Sequence, residues 1–197
     1  MKILAFSDLH LARARAADIV AAASEADLVI GAGDFCNMRR GLPDAMAMLA
    51  DIGAPFVVVP GNNESVNELR GAAPDIVHVL HGQSVAIDGV TVFGIGGGIP
   101  VTPFGAWSWD LTEHEAETLL AGADGADILV SHSPPKGLAD RTSSGLSVGS
   151  TSVKAAVERV QPRLALCGHI HDCWGEEGLI GATRVKNLGP TVNWFEI

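Results

Sequence analysis

The chain has 197 residues, a formal net charge of −10, 47% hydrophobic residues and 18% charged ones. That apolar content excludes disorder, no uninterrupted apolar run reaches the roughly 18 residues of a membrane span, and a chain this long buries roughly 70% of its unfolded surface without disulfides or a structural metal. An acidic balance with no basic block beyond the Arg39-Arg40 pair speaks against a long nucleic-acid partner, whose binding needs many phosphates neutralised, and leaves small phosphorylated ligands, nucleotides among them, as the expected partners.

The expected organisation is a single domain over residues 1–197. From the N-terminus, short runs rich in branched residues predict strands at Lys2–Phe6, Leu28–Ile30, Phe56–Val59, Ile128–Ser131 and Leu164–Cys167. Ala-rich periodic stretches between them predict helices at Ala14–Glu25, Pro43–Asp51, Thr112–Leu120 and Ser152–Val160, so the order is that of an α/β fold. Thr112 and Glu115 have the spacing of a capping box. Asp88-Gly89, between Ser84–Ile87 and Val90–Gly94, is a two-residue hairpin signal. A second antiparallel set is expected at Leu179–Ile180, Thr183–Leu188 and Trp194–Ile197, which makes the sheets mixed. The apolar start meets Ser7-Asp8 before a secretory segment is complete, and Cys36, Cys167 and Cys173 form neither an even set nor a CxxC. The first observation leads to the expectation of a cytoplasmic location, and the second speaks against a disulfide framework and a zinc knuckle.

Residues able to bind metal fall directly after predicted strands: Asp8-Leu9-His10, Gly33-Asp34, Gly61-Asn62-Asn63-Glu64, Ser131-His132 and Gly168-His169-Ile170-His171. Strand alternation predicts that each Asp-x-His or His-x-His pair projects to one side of an extended segment. Ligands of open α/β sheets bind at the carboxyl ends of the strands, so five distant segments are expected to converge on one cleft. Imidazole mixed with oxygen donors suits Mn²⁺, Fe²⁺ or Zn²⁺, and the absence of thiolate argues against a structural zinc site. Seven donors exceed what one ion takes, whereas two ions bridged by one carboxylate would use them all.

The ordered series D-x-H, G-D, G-N-x-E, S-H and G-H-x-H, spread from Asp8 to His171, resembles the calcineurin-like metallophosphoesterase superfamily. The runs His132–Gly137, Gly149-Ser150, Gln161–Arg163 and Gly168–Asp172 look like its small branch of metallophosphoesterase-domain proteins. The resemblance implies a four-layer α-β-β-α sandwich of two mixed sheets flanked by helices. It also implies that Asp8, His10 and His171 hold a first divalent ion, that Asn62, His132 and His169 hold a second, and that Asp34 bridges them. The implied activity is hydrolysis of a phosphate ester by a water that both ions acidify, with Asp34, Asn62, Asn63 and His132 as the catalytic set.

Family members usually carry His where this chain has Asn63, and a carboxamide donates a hydrogen bond without delivering a proton. The reading therefore favours a phosphodiesterase over a monoesterase, with Glu64, His81 and His114 as candidate replacement acids. An alternative structural reading makes Asn63 a turn residue tolerant of left-handed angles. A rival function from another class is a catalytically weak metal-binding module that recognises a phosphorylated ligand or a protein partner.

The long stretches Gly94–Trp109 and Ser133–Gly149 are candidate walls of the site. Trp107 and Trp109 are expected to be buried anchors rather than a lid, Cys36 to be packing, and Gly149-Ser150 to cap a helix. Purple acid phosphatases share the motif order but need a tyrosine ligand, and this chain contains no Tyr.

Overall fold

A computed structural model describes residues 1–197. Eleven strands and five helices follow the order β1 (Lys2–Phe6), α1 (Arg13–Ala23), β2 (Leu28–Gly31), α2 (Leu42–Met48), β3 (Phe56–Val58), α3 (Val66–Ala72), β4 (Val77–Val79), β5 (Gln83–Ile87), β6 (Val90–Ile95), α4 (Glu113–Leu120), β7 (Ile128–Ser131), α5 (Thr151–Val160), β8 (Leu164–Cys167), β9 (Glu177–Ile180), β10 (Thr183–Asn187) and β11 (Asn193–Glu196). They build two mixed sheets, β11-β1-β2-β3-β4 and β5-β6-β7-β8-β10-β9.

Alternation along the strands shows how the layers stack. In β1 and β2, Ile3, Ala5, Leu28 and Ile30 enter a core between the sheets, where they meet Val92, Ile128, Val130, Leu164 and Leu166 from the second sheet. Their neighbours Leu4, Phe6 and Val29 face the opposite way, onto Ile19 of α1, Ala45 of α2 and Leu69 of α3. The second sheet likewise turns Phe93, Leu129 and Ala165 outward onto Leu120 of α4 and Val157 of α5. Strands β2, β7 and β8 are buried throughout, so they read as unbroken apolar runs. The result is the α-β-β-α sandwich. No helix is long and apolar enough to cross a membrane.

Local chemistry explains the element ends. Thr112 and Glu115 form the predicted capping box, and Ser150 accepts from the Val153 amide at the start of α5, a cap worth about 1 kcal/mol. Asp88 and Gly89 both have positive φ, as a tight hairpin turn requires, and join Ile87 to Val90.

One expectation is corrected. The last strand does not pair with the others near the C-terminus: β9 and β10 close the second sheet, while β11 crosses to lie antiparallel beside β1. Phe195 thereby enters the core between the sheets, a contact that no local pattern specifies. Helix α3 and strand β4 were not expected. Their signals are short: a seven-residue helix behind a Ser65/Glu68 capping box, and a three-residue edge strand that is only half-buried.

Candidate metal centre

All seven predicted ligands leave the carboxyl ends of parallel strands. Asp8 and His10 follow β1, Asp34 follows β2, Asn62 follows β3, His132 follows β7, and His169 and His171 follow β8. Two groups result, Asp8/His10/His171 and Asp34/His132/His169, each with its ligand atoms within 4.8 Å of one another. Each group draws on both sheets, so the site exists only where the sheets face each other.

The extended geometry expected of the Asp-x-His and His-x-His pairs is not what the chain adopts. Asp8, His10, Asp34 and His169 all have positive φ, a conformation that costs non-glycine residues of order 1–3 kcal/mol and concentrates at functional sites. The tight bends send His169 and His171 into different groups. Close backbone approach makes room for this: a Cβ on Gly61 would overlap the Asp34 carboxylate, and one on Gly168 would strike Asp8 and Ser7.

Within the first group, His10 Nε2 lies 3.2 Å from His171 Nε2, and His171 Nε2 lies 3.8 Å from Asp8 Oδ1. In the second, His132 Nε2 lies 3.3 Å from Asn62 Oδ1. Asp34 stands between the groups, with Oδ2 3.6 Å from His10 Nε2 and Oδ1 3.5 Å from His132 Nε2.

Partners behind the donors set their direction. His10 Nδ1 donates to the Cys36 carbonyl at 3.1 Å and His132 Nδ1 to the Ala32 carbonyl at 2.8 Å, so each presents Nε2 to the cleft. Asn62 Nδ2 donates to Ser108 Oγ at 3.0 Å, which turns its Oδ1 toward His132. Asp8 Oδ2 accepts from Ser7 Oγ and from Trp174 Nε1 at 3.1 Å. Ser108 and Trp174 are orienting residues that sequence reasoning missed; Trp174 lies 166 positions from Asp8, and nothing local marks it.

This donor set fits divalent ions. Two nitrogens bound to one ion at about 2.1 Å lie about 3.0–3.4 Å apart, which is the spacing of His10 and His171. With the His10 proton on Nδ1, its Nε2 lone pair is free to bind a cation. Burial is the largest single influence on Asp34 and favours the neutral acid, but the charge and hydrogen bond of His132 together with the charges of His10 and His169 exceed it, so the carboxyl stays ionised below its ordinary range. At His132 burial is the largest single influence and opposes protonation, and the charge and hydrogen bond of Asp34, with Asp8 and the Ala32 carbonyl, together exceed it and raise the pKa to about 9. Burial, then the charge of His132, lowers His169 to about 3.

Asn63 is buried and does not adopt a left-handed conformation, which corrects the alternative reading of it as such a turn residue. Its Nδ2 donates to Asp34 Oδ2 at 2.7 Å and its backbone amide to Asp34 Oδ1 at 2.9 Å, while its Oδ1 accepts from the Met38 amide at 2.7 Å. Of the three candidate acids, Glu64 and His81 already have hydrogen-bond partners and His114 stands at the surface. Glu64 is fully buried with its carboxylate on the amides of Gly61 and Asp34, at 2.7 and 2.8 Å, and it anchors the two loops; burial, then the Asp34 charge, raises its pKa to about 7. His81 accepts from the Gly96 amide at 3.2 Å and packs on Trp109, and burial together with Arg70 lowers it to about 4. His114 is exposed on α4 beside Glu117.

The 94–109 loop reaches the site, with Trp109 N donating to Asn62 O at 2.9 Å, and it is tied to the 133–149 loop by Ile99 N donating to Ser133 Oγ at 2.8 Å. Trp107 and Trp109 are half-buried rather than buried. Cys36 packs in the core behind Asp34, and all three cysteines are buried and unpaired.

The chain resembles known proteins in sequence and in fold. The chain is 28% identical over 205 residues to human metallophosphoesterase domain-containing protein 1, covering 85% of this chain and 61% of the relative; it therefore spans about three fifths of that protein's length. Its fold matches the crystal structure of TT1561 of Thermus thermophilus, with a TM-score of 0.75, 18% identity and coverage of 98% and 97% of the two chains. A dimetal phosphatase from Danio rerio matches with a TM-score of 0.65, 12% identity and coverage of 96% and 88%. Residues 1–173 match the family model of the calcineurin-like phosphoesterases, and the chain belongs to that family.

Proposed function

We propose that the chain is a dinuclear metal-dependent phosphoric ester hydrolase that prefers phosphodiesters to monoesters, and that residues 1–197 act as one domain. The observation that carries this reading is Asp34, a single carboxylate with one oxygen toward each group of ligands. Asp8, His10 and His171 would hold one ion, Asn62, His132 and His169 the other, and Asp34 both. Two such ions supply positive charge for the phosphoryl oxygens and acidify water, the nucleophile that hydrolysis needs.

The protein's own part is orientation. Ala32 and Cys36 hold the imidazoles, Ser108 holds Asn62, and Asn63 steadies Asp34 through two hydrogen bonds. Asn63 delivers no proton to a departing oxygen, and this supports diesters and activated esters, whose leaving groups need little protonation. The three buried, unpaired cysteines suit the reducing cytoplasm.

The same carboxamide at Asn63 favours a second reading, a metal-binding module that recognises a phosphorylated ligand and turns it over slowly. Release of 4-nitrophenol separates the two. We expect bis(4-nitrophenyl) phosphate to be hydrolysed once Mn²⁺, Fe²⁺ or Zn²⁺ is added, faster than 4-nitrophenyl phosphate, and hydrolysis to stop with chelator. Protein that binds the ions yet hydrolyses neither ester would favour the module.

A further inference from the structure

A cavity of about 510 Å³ lies beside the ligand groups, lined by Leu11, Asn37, Met38, Arg40, Gly41 and Trp107. Its walls are tied to the site at each side. Leu11 follows His10, and Asn37 Nδ2 donates to the His10 carbonyl at 3.2 Å. Met38 N is held by Asn63 Oδ1 at 2.7 Å. Trp107 precedes Ser108, whose Oγ accepts from Asn62 Nδ2 at 3.0 Å. The volume falls within the roughly 300–1,000 Å³ typical of small-molecule sites.

The wall at Met38 is built at a cost. Met38 and Arg39 both have positive φ in a turn closed by Asn37 and Arg40, yet the Met38 side chain gains little burial from it, being 55% exposed. The lining also includes the Trp107 indole, which stacks on a parallel ring, Phe104, at 5.6 Å and 13°. Thioether, indole and guanidinium are the groups that favour flat π-systems, sulfur at a ring edge, aromatic against aromatic and cation over a face.

We propose that this cavity receives a flat aromatic group carried by one ester substituent of the substrate, and that Met38 and Trp107 determine that specificity. The inference rests on the phosphoesterase reading, because the adjoining metal centre would hold the phosphoryl group.

The test is binding of the two simplest monoester products to the metal-loaded protein by calorimetry. Phenyl phosphate is expected to bind about tenfold more tightly than methyl phosphate, the size of one good aromatic contact with its buried area. Trp107→Ala and Met38→Ala should each remove most of that preference and leave methyl phosphate affinity unchanged. Met38 is exposed, so its variant stays informative even if loss of the indole disturbs the loop. Equal affinities in the wild type, or a preference that survives both substitutions, would overturn the subsite while leaving the phosphoesterase reading intact. Failure of both monoesters to bind the metal-loaded protein would bring down that reading and the subsite with it.

Discussion

Replacing Asp34 by Asn is expected to lower metal-dependent turnover by at least about a thousandfold while the protein remains folded. Asp34 has φ +58°, a conformation that Asn also tolerates, so the substitution changes charge with little change in backbone preference. It removes the negative charge that faces both His10 and His132, and with it the group best placed to hold two ions together. Ion-derived stabilisation of the transition state is worth several kcal/mol, and each 1.4 kcal/mol is about tenfold in rate. Turnover of a diaryl phosphate with metal present, read beside a melting curve, checks this. Unchanged turnover would assign the activity to a contaminant.

The second large effect concerns Asn63. Both ends of its carboxamide are engaged, with Asp34 and with the Met38 amide, and neither contact gives a departing oxygen a proton. Asn63→His would put at that position a group whose ordinary pKa is about 6.5. Turnover of an alkyl phosphodiester should rise about a hundredfold, the low end of general-acid catalysis, while an aryl diester, whose phenolate leaves unaided, should change little. The Met38 amide loses its acceptor at the same time, and a lower melting temperature would report that separately. Equal changes on both esters would show that proton delivery is not what this position lacks.

Much of this site was legible because its chemistry is written in residue types at the ends of apolar runs. A strand such as Ile128–Ser131, buried on both faces, can be read from its composition, and a His directly after it has a strand end to stand on. The same logic found Asp8, Asp34, Asn62 and His169. It failed where function depends on direction rather than identity. Nothing local shows that Asp8 and His10 leave the strand in left-handed conformations, that His169 and His171 part company, or that Trp174 reaches back to Asp8. Glu64 shows the limit most clearly: the sequence offers a carboxylate next to the site, and only packing reveals that it is spent on the amides of Gly61 and Asp34. In the fold, β11 was recognisable as a strand, but its choice of sheet is made by the partner of Phe195 in the core rather than by its own pattern.

The central claim is most directly tested by anomalous diffraction from crystals grown with Mn²⁺. Two peaks are predicted, about 3.5–4 Å apart, one among Asp8, His10 and His171 and the other among Asn62, His132 and His169, with Asp34 reaching both. A cleft without manganese, or a single ion that leaves one of the two groups without a ligand to bind, would contradict it.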